Sequence, residues 1–193
     1  MYKEVPKMKL MFASDIHGSY PACKAMFERF DEEKADRLIL LGDLLYHGPR
    51  NDLPDGYAPK EVIKLLNARK DKLFCVRGNC DTEVDRMVLE FPVMADYALL
   101  FLDGATVFCT HGHIYNKKNP PLIGSGDILI HGHTHVQCIE DVPAENGTYT
   151  YLNPGSVSLP KEGHSPSYMV YEDGTYTIKD LHTCEIEERR RVV

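Results

Sequence analysis

Apolar and polar positions along the 193 residues follow two different periods, and the change between them divides the chain. Residues 8–14 (MKLMFAS) form a short apolar run that stops at Asp15, and residues 21–30 then place Ala22, Ala25, Met26 and Phe30 on one helical stripe. Residues 37–41 (RLILL) repeat the run and stop at Gly42-Asp43. Residues 60–69 follow, with Val62, Ile63, Leu65 and Leu66 in helical spacing. The third run, 72–76 (KLFCV), ends at Arg77-Gly78-Asn79, and 82–89 predicts a short helix with Thr82 as cap and Asp85 three residues on. Three strand–helix units in succession predict a parallel sheet with right-handed crossovers. After Pro92 the pattern shortens. Strands are predicted at 97–102, 106–110, 128–130, 136–141, 148–152, 167–171 and 175–181, with hairpin turns at Asp103-Gly104 and Asp173-Gly174. With no repeat, low-complexity tract or linker, the expectation is one domain over 8–184. Residues 1–7 and 185–193 are terminal extensions, and the charge run 185–191 is a solvated terminus.

Composition changes this picture in three respects. The chain is 43% hydrophobic and 26% charged, which excludes a disordered or fibrous protein. Its net charge of −7 disfavours long nucleic acid, because broad phosphate binding needs a basic face. No apolar run approaches the roughly 20 residues of a membrane span, and the six cysteines form no CxxC pair or compact framework. Together with an N-terminus unlike a signal peptide, this places the expectation in a reducing cytoplasm. The nine histidines are unevenly spread: five of them, His111, His113, His131, His133 and His135, fall within residues 111–135. That excess asks for a chemical cause.

Each apolar run ends in residues that bind cations: Asp15-Ile16-His17, Gly42-Asp43, Gly78-Asn79, Thr110-His111-Gly112-His113 and Gly132-His133-Thr134-His135. The carboxyl ends of parallel strands share one edge of an α/β sheet, where ligands bind, so these loops are expected to converge. Two carboxylates, an amide oxygen and four imidazoles suit hard-to-borderline divalent cations without a thiolate. Residues two apart at a strand end point the same way, which lets Asp15 and His17, and His133 and His135, offer ligands in pairs. Such a set exceeds one tetrahedral zinc site. It suits two ions about 3.5–4 Å apart sharing a carboxylate, an arrangement used for in-line phosphoryl displacement.

The series D-x-H, G-D, G-N, T-H-G-H and G-H-T-H, in this order across residues 15–135, resembles the calcineurin-like metallophosphoesterases. The segments Gly42-Asp43-Leu44-Leu45-Tyr46-His47-Gly48-Pro49-Arg50-Asn51, Gly78-Asn79-Cys80-Asp81 and Asn153-Pro154-Gly155-Ser156 are similar to the small YfcE-type phosphodiesterases among them. The resemblance implies an α/β fold, a four-layer αββα sandwich of two mixed sheets flanked by helices. It implies that Asp15, His17 and His135 hold one metal ion, that Asn79, His111 and His133 hold a second, and that Asp43 bridges them. The implied cofactor is two divalent ions, manganese first, with nickel, zinc or iron admitted by the same ligands. The implied function is hydrolysis of a small phosphodiester by in-line attack of a hydroxide bridging the two metals. A phosphomonoesterase or dinucleotide hydrolase is the enzymatic alternative. Outside the enzymes the alternative is a protein-binding scaffold of the retromer-subunit type, against which the presence of every ligand type counts. Relatives of this kind form dimers or tetramers, so a homo-oligomer is expected.

Two positions depart from the wider superfamily. The second acidic position of its G-D block is Tyr46, followed by His47, and the histidine that commonly follows G-N is Cys80. A thiol with an ordinary pKa of about 8.5 is protonated at neutral pH but is a weak hydrogen-bond donor to a leaving oxygen. Cys80 and His113 are therefore the candidate proton donors, with His113 equally placed to touch phosphate or to support its neighbours. Arg50, Asn51 and His47 are candidate substrate contacts, the guanidinium by its fit to phosphate, although a solvated loop reads the same way. His131 is expected to be packed rather than ligating, His164 and His182 to be on the surface, and Cys75 and Cys109 to lie in the core.

Overall fold

A computed structural model describes residues 8–192. Eleven strands and two α-helices occur in the order β1 (Leu10–Ala13), α1 (Tyr20–Glu33), β2 (Arg37–Leu40), α2 (Pro59–Ala68), β3 (Leu73–Cys75), β4 (Tyr97–Leu102), β5 (Ala105–Thr110), β6 (Ile128–Ile130), β7 (Cys138–Ala144), β8 (Gly147–Asn153), β9 (Ser167–Glu172), β10 (Thr175–Asp180) and β11 (Ile186–Arg191). The first sheet runs β11-β10-β9-β1-β2-β3, with β1, β2 and β3 parallel and β9 antiparallel to β1. The second runs β4-β5-β6-β8-β7, with β5, β6 and β8 parallel.

The alternation of side chains along β1 explains the layering. Met11 and Ala13 face α1 and α2, in a cluster with Met26, Phe27, Phe30, Val62 and Leu66. Leu10 and Phe12 face the other way, onto Val107, Cys109, Ile128 and Ile130 of the second sheet. The outer face of that second sheet, Phe108, Leu129, Tyr149 and Tyr151, is covered by Tyr115 and Ile123. These belong to the irregular connection 111–127, which among the described residues contains no helix. Tyr97, Leu99 and Phe101 of β4 are left exposed.

Helix α1 starts at Ser19, whose hydroxyl accepts from Ala22 N–H at 3.4 Å, and stops at Lys34 in the left-handed region. Both hairpin turns have positive φ at the predicted pair, Asp103-Gly104 and Asp173-Gly174, as a two-residue turn with the twist of its strands requires.

Two expectations need correction. Residues 82–89 contain only a 3-10 turn at Asp85–Met87, because Val84, Met87 and Val88 find no apolar surface and remain exposed. The charge run 185–191 is mostly exposed, as expected. It is nevertheless an edge strand: 186–191 pair antiparallel with β10, through backbone bonds that need no side-chain burial. The first extension, 1–7, and residue 193 lie outside the described residues.

Candidate metal centre

The carboxyl ends of β1, β2 and β3 in one sheet and of β5 and β6 in the other meet at one edge of the sandwich. Asp15, His17, Asp43, His133 and His135 all lie beyond the strand ends with φ between 50° and 66°. The pairs separated by two residues therefore face one side because of left-handed turns, not because of strand pleating. This backbone conformation is unfavourable for residues with a Cβ and persists only where neighbouring structure enforces it.

The enforcing contacts are visible. Asp15 N–H donates to Gly42 O at 3.1 Å and His17 N–H to Asp43 O at 2.9 Å, which laces the first two loops together. The hydroxyls of Ser156 and Ser158 both donate to Asp15 O, at 2.9 and 2.7 Å. Asn153 Nδ2 donates to Gly132 O at 3.0 Å, so the 153–156 loop ties the β6 loop as well. His133 N–H donates to Asp15 Oδ2 at 3.0 Å and joins the two sheets at the site. Neither Gly78 nor Gly132 has room for a Cβ. It would collide with Asp43 at the first and with Ser14 and Asp15 at the second.

The histidine tautomers follow from the second ring nitrogen. His17 Nδ1 donates to Tyr46 O at 2.8 Å, His111 Nδ1 to Leu41 O at 2.6 Å and His135 Nδ1 to Leu159 O at 2.5 Å. A carbonyl only accepts, so in each neutral ring Nε2 carries the lone pair that faces the cluster. His17 Nε2 lies 3.3 Å from His135 Nε2, and both lie near Asp15 Oδ1, at 3.5 and 3.2 Å. Asp15 Oδ1 is buried with no hydrogen-bond donor. Asp43 divides its oxygens. Oδ1 accepts from Cys80 N–H at 2.7 Å, while Oδ2 faces His17 Nε2 at 3.7 Å and His111 Nε2 at 3.4 Å. His111 Nε2 is also 3.1 Å from Asn79 Oδ1 and 3.2 Å from His133 Nδ1. Acceptors converging on acceptors in a buried volume repel one another unless a second proton on an imidazole, or a cation in its place, stands between them. The donor set thus fits two divalent ions, with Asp43 Oδ2 lying between the two groups.

The same crowding sets the charge states. Burial opposes charge on Asp15 and on His111, but the facing partners prevail: His135 and His17 hold Asp15 well below its ordinary range, and Asp43 and Asp15 raise His111 to about 9. Burial, reinforced by His111, pushes His133 down to about 4. Burial likewise takes His131, packed against Tyr151, down to about 4. Burial and Asp43 raise the Cys80 thiol, which stays protonated. They also lift Asp81 to about 6, although its carboxylate accepts from Asp43, Leu44 and Gly78 N–H at 2.7–2.8 Å.

A cavity of about 610 Å³ opens onto Asp43, Asn79, His133 and His135, and Cys80, Arg50 and Asn51 line it too. His113 instead lines a second cavity of about 470 Å³, which shares the wall formed by His133 and Thr134. His47 lies outside both, edge-on to the rings of Tyr46 and Tyr57, and its carbonyl accepts from Asn51 Nδ2 at 2.8 Å. Asp81, Ser156, Ser158 and Lys161 were not singled out by sequence reasoning. Asp81 and Ser156 fall within the segments that carry the resemblance, whereas Ser158 and Lys161 give no sequence signal. His164, expected on the surface, is half-buried and bonded to Gln137 at 3.0 Å.

Comparison with known proteins places this geometry in context. The family profile of the calcineurin-like phosphoesterase superfamily domain matches residues 8–175. Phosphodiesterase YfcE of Escherichia coli (strain K12) is 46% identical over 179 residues, covering 93% of this chain and 95% of that protein. The solved structure of that E. coli phosphoesterase superposes with a TM-score of 0.89, at 43% identity, over 96% of this chain and 100% of its own. Phosphodiesterase MJ0936 of Methanocaldococcus jannaschii is 26% identical over 156 residues, 77% of this chain and 83% of that protein. Zinc-complexed Vps29 from Entamoeba histolytica, 17% identical with a TM-score of 0.57 over 96% and 100% of the two chains, shares the fold.

Proposed function

The chain belongs to the calcineurin-like phosphoesterase superfamily, and from that premise we propose that it is a dinuclear metal-dependent phosphodiesterase acting on small phosphodiesters. The observation that carries the proposal is Asp43 Oδ2, which faces His17 Nε2 on one side and His111 Nε2 on the other. Asp15, His17 and His135 would hold one ion, and Asn79, His111 and His133 the other. Oxygen and imidazole donors without a thiolate suit manganese. Two divalent ions in such a site supply a nucleophile at neutral pH and neutralise charge on the phosphoryl oxygens.

The chain's own residues do the rest. The carbonyls of Tyr46, Leu41 and Leu159 keep the three Nε2 atoms aimed inward before any ion arrives. Cys80 presents a protonated but weakly donating thiol to the cavity, while His113, beyond His133 in the second cavity, is held below its ordinary pKa by burial and the neighbouring His111 and would act only as a neutral imidazole. Neither gives an alkyl leaving group strong help, so diesters with good leaving groups are the better substrates. Arg50 and Asn51 are the substrate contacts within the cavity. His47, a third candidate, would have to act from outside it.

The six free cysteines support a reducing, cytoplasmic setting, and no helix among the described residues is long and apolar enough to cross a membrane. The exposed Tyr97, Leu99 and Phe101 offer a homo-oligomer a place to form. Hydrolysis of an aryl diester and an alkyl monoester by the manganese-loaded protein tests the reading. Diester turnover that is lost on chelation is expected, with weak monoester turnover that rises in Cys80→His. No metal-dependent diester turnover would overturn the function, and no monoester gain would overturn the role given to Cys80.

A further inference from the structure

The cavity over the ligand cluster carries two cationic side chains on an acidic chain. Arg50 and Lys161 both line it, both are exposed, and neither pairs with a described carboxylate. Asp43 is the one acidic residue among the described residues that line this cavity, and its Oδ2 is committed to the histidines. With 29 acidic against 22 basic residues overall, two unpaired cations without a free carboxylate between them make a concavity suited to anions.

Both cations start from fixed points. Lys161 N–H donates to His135 O at 3.1 Å, which roots the lysine beside a ligand residue. The Asn51 side chain closes the loop that carries Arg50 through its bond to His47 O at 2.8 Å. A phosphodiester brings one negative charge, on the phosphoryl group that must sit at the ligand cluster. Arg50 and Lys161 are surplus to that charge. An ammonium and a planar guanidinium together suit the oxygens of a phosphate, and 610 Å³ is within the usual size of a small-molecule site.

Resting on the phosphodiesterase reading above, we propose that Arg50 and Lys161 bind a second anionic group, so that the substrate is a phosphodiester with one arm ending in a further phosphate. The alternative, that both cations hold the scissile phosphate, makes a different prediction, because every diester would then depend on them equally.

The test compares two aryl diesters, one with an ethyl second arm and one with a 2-phosphoethyl second arm, on the metal-loaded full chain. The native protein is expected to favour the phosphorylated diester about tenfold in kcat/KM, with the preference shrinking as salt is added. In Arg50→Gln/Lys161→Gln the ratio falls to about one. Calorimetric binding of the two corresponding non-hydrolysable phosphonates gives the same ratio without turnover. Equal binding of the two phosphonates by the native protein, or an unchanged ratio in a folded double variant, overturns the proposal. Failure of the native protein to hydrolyse either diester overturns the phosphodiesterase reading instead, and the phosphonate affinities still decide whether a second anion is bound.

Discussion

Asp15, His17 and His135 are all buried, and a backbone carbonyl fixes both imidazoles. In the second ligand group only His111 has that support. Asn79 is exposed, and His133 is half-buried, with its Nδ1 facing His111 instead of a carbonyl. On the proposed assignment, the fold would complete the first metal position before an ion binds and leave the second to be completed by the ion itself. Outer-sphere hydrogen bonds of this kind contribute roughly 10–100-fold to metal affinity. The first ion should accordingly bind tightly and persist, while the second exchanges on the substrate side.

The strongest way to break this comparison is to remove one ligand from each group. His135→Ala is expected to lose the tight ion and with it diester turnover, whereas His133→Ala keeps one tight ion and weakens the other by more than the roughly 10–100-fold that losing an outer-sphere partner costs. Asp43→Asn, which alters the shared ligand, should weaken both. Metal analysis after dialysis together with diester rates checks all three, and equal losses from His135→Ala and His133→Ala would remove the distinction.

A smaller effect is expected from the double change Ser156→Ala/Ser158→Ala. It leaves the carbonyl of left-handed Asp15 without either hydroxyl, at a cost of about 1–3 kcal/mol in stability. The first ion should weaken about tenfold with the second unmoved. Competition with a chelator reads both.

The smallest change lies away from both positions. Burial would raise Glu33, but Lys179 and Lys9 hold it below its ordinary 4.5. A depressed folded pKa stabilises the protein above 4.5, and that contribution is lost as the pH falls through the folded value. Glu33→Gln is expected to lower the Tm by roughly 2–4 °C at pH 7, with the gap closing in acid and neither ion affected. A pH series of thermal melts measures this.

How much of the architecture was legible depended on whether its cause was local. The first two βα units and the third strand could be read because each apolar run ends at a turn with ligand-type side chains, and the seven side chains expected to act as ligands lie together beyond those strand ends. Strand pleating does not account for their pairing, because left-handed turns held by Ser156, Ser158 and Asn153 turn these side chains to one side. Those partners lie far away in sequence, and nothing in the D-x-H or G-H-T-H segments reveals them. Asp81 likewise serves Asp43 across 38 positions. The β11 strand is not legible in the sequence because its side chains stay mostly exposed and only its backbone joins the sheet. Lys161 carried no pattern at all; its place beside His135 comes from the turn that follows the 153–156 loop.

The measurement that bears most directly on the dinuclear account is a calorimetric manganese titration of the metal-stripped native chain, with diester turnover followed in parallel. The account predicts two ions per chain in two separated steps, the tighter first, with turnover appearing on the second. A single ion per chain at full activity would contradict it.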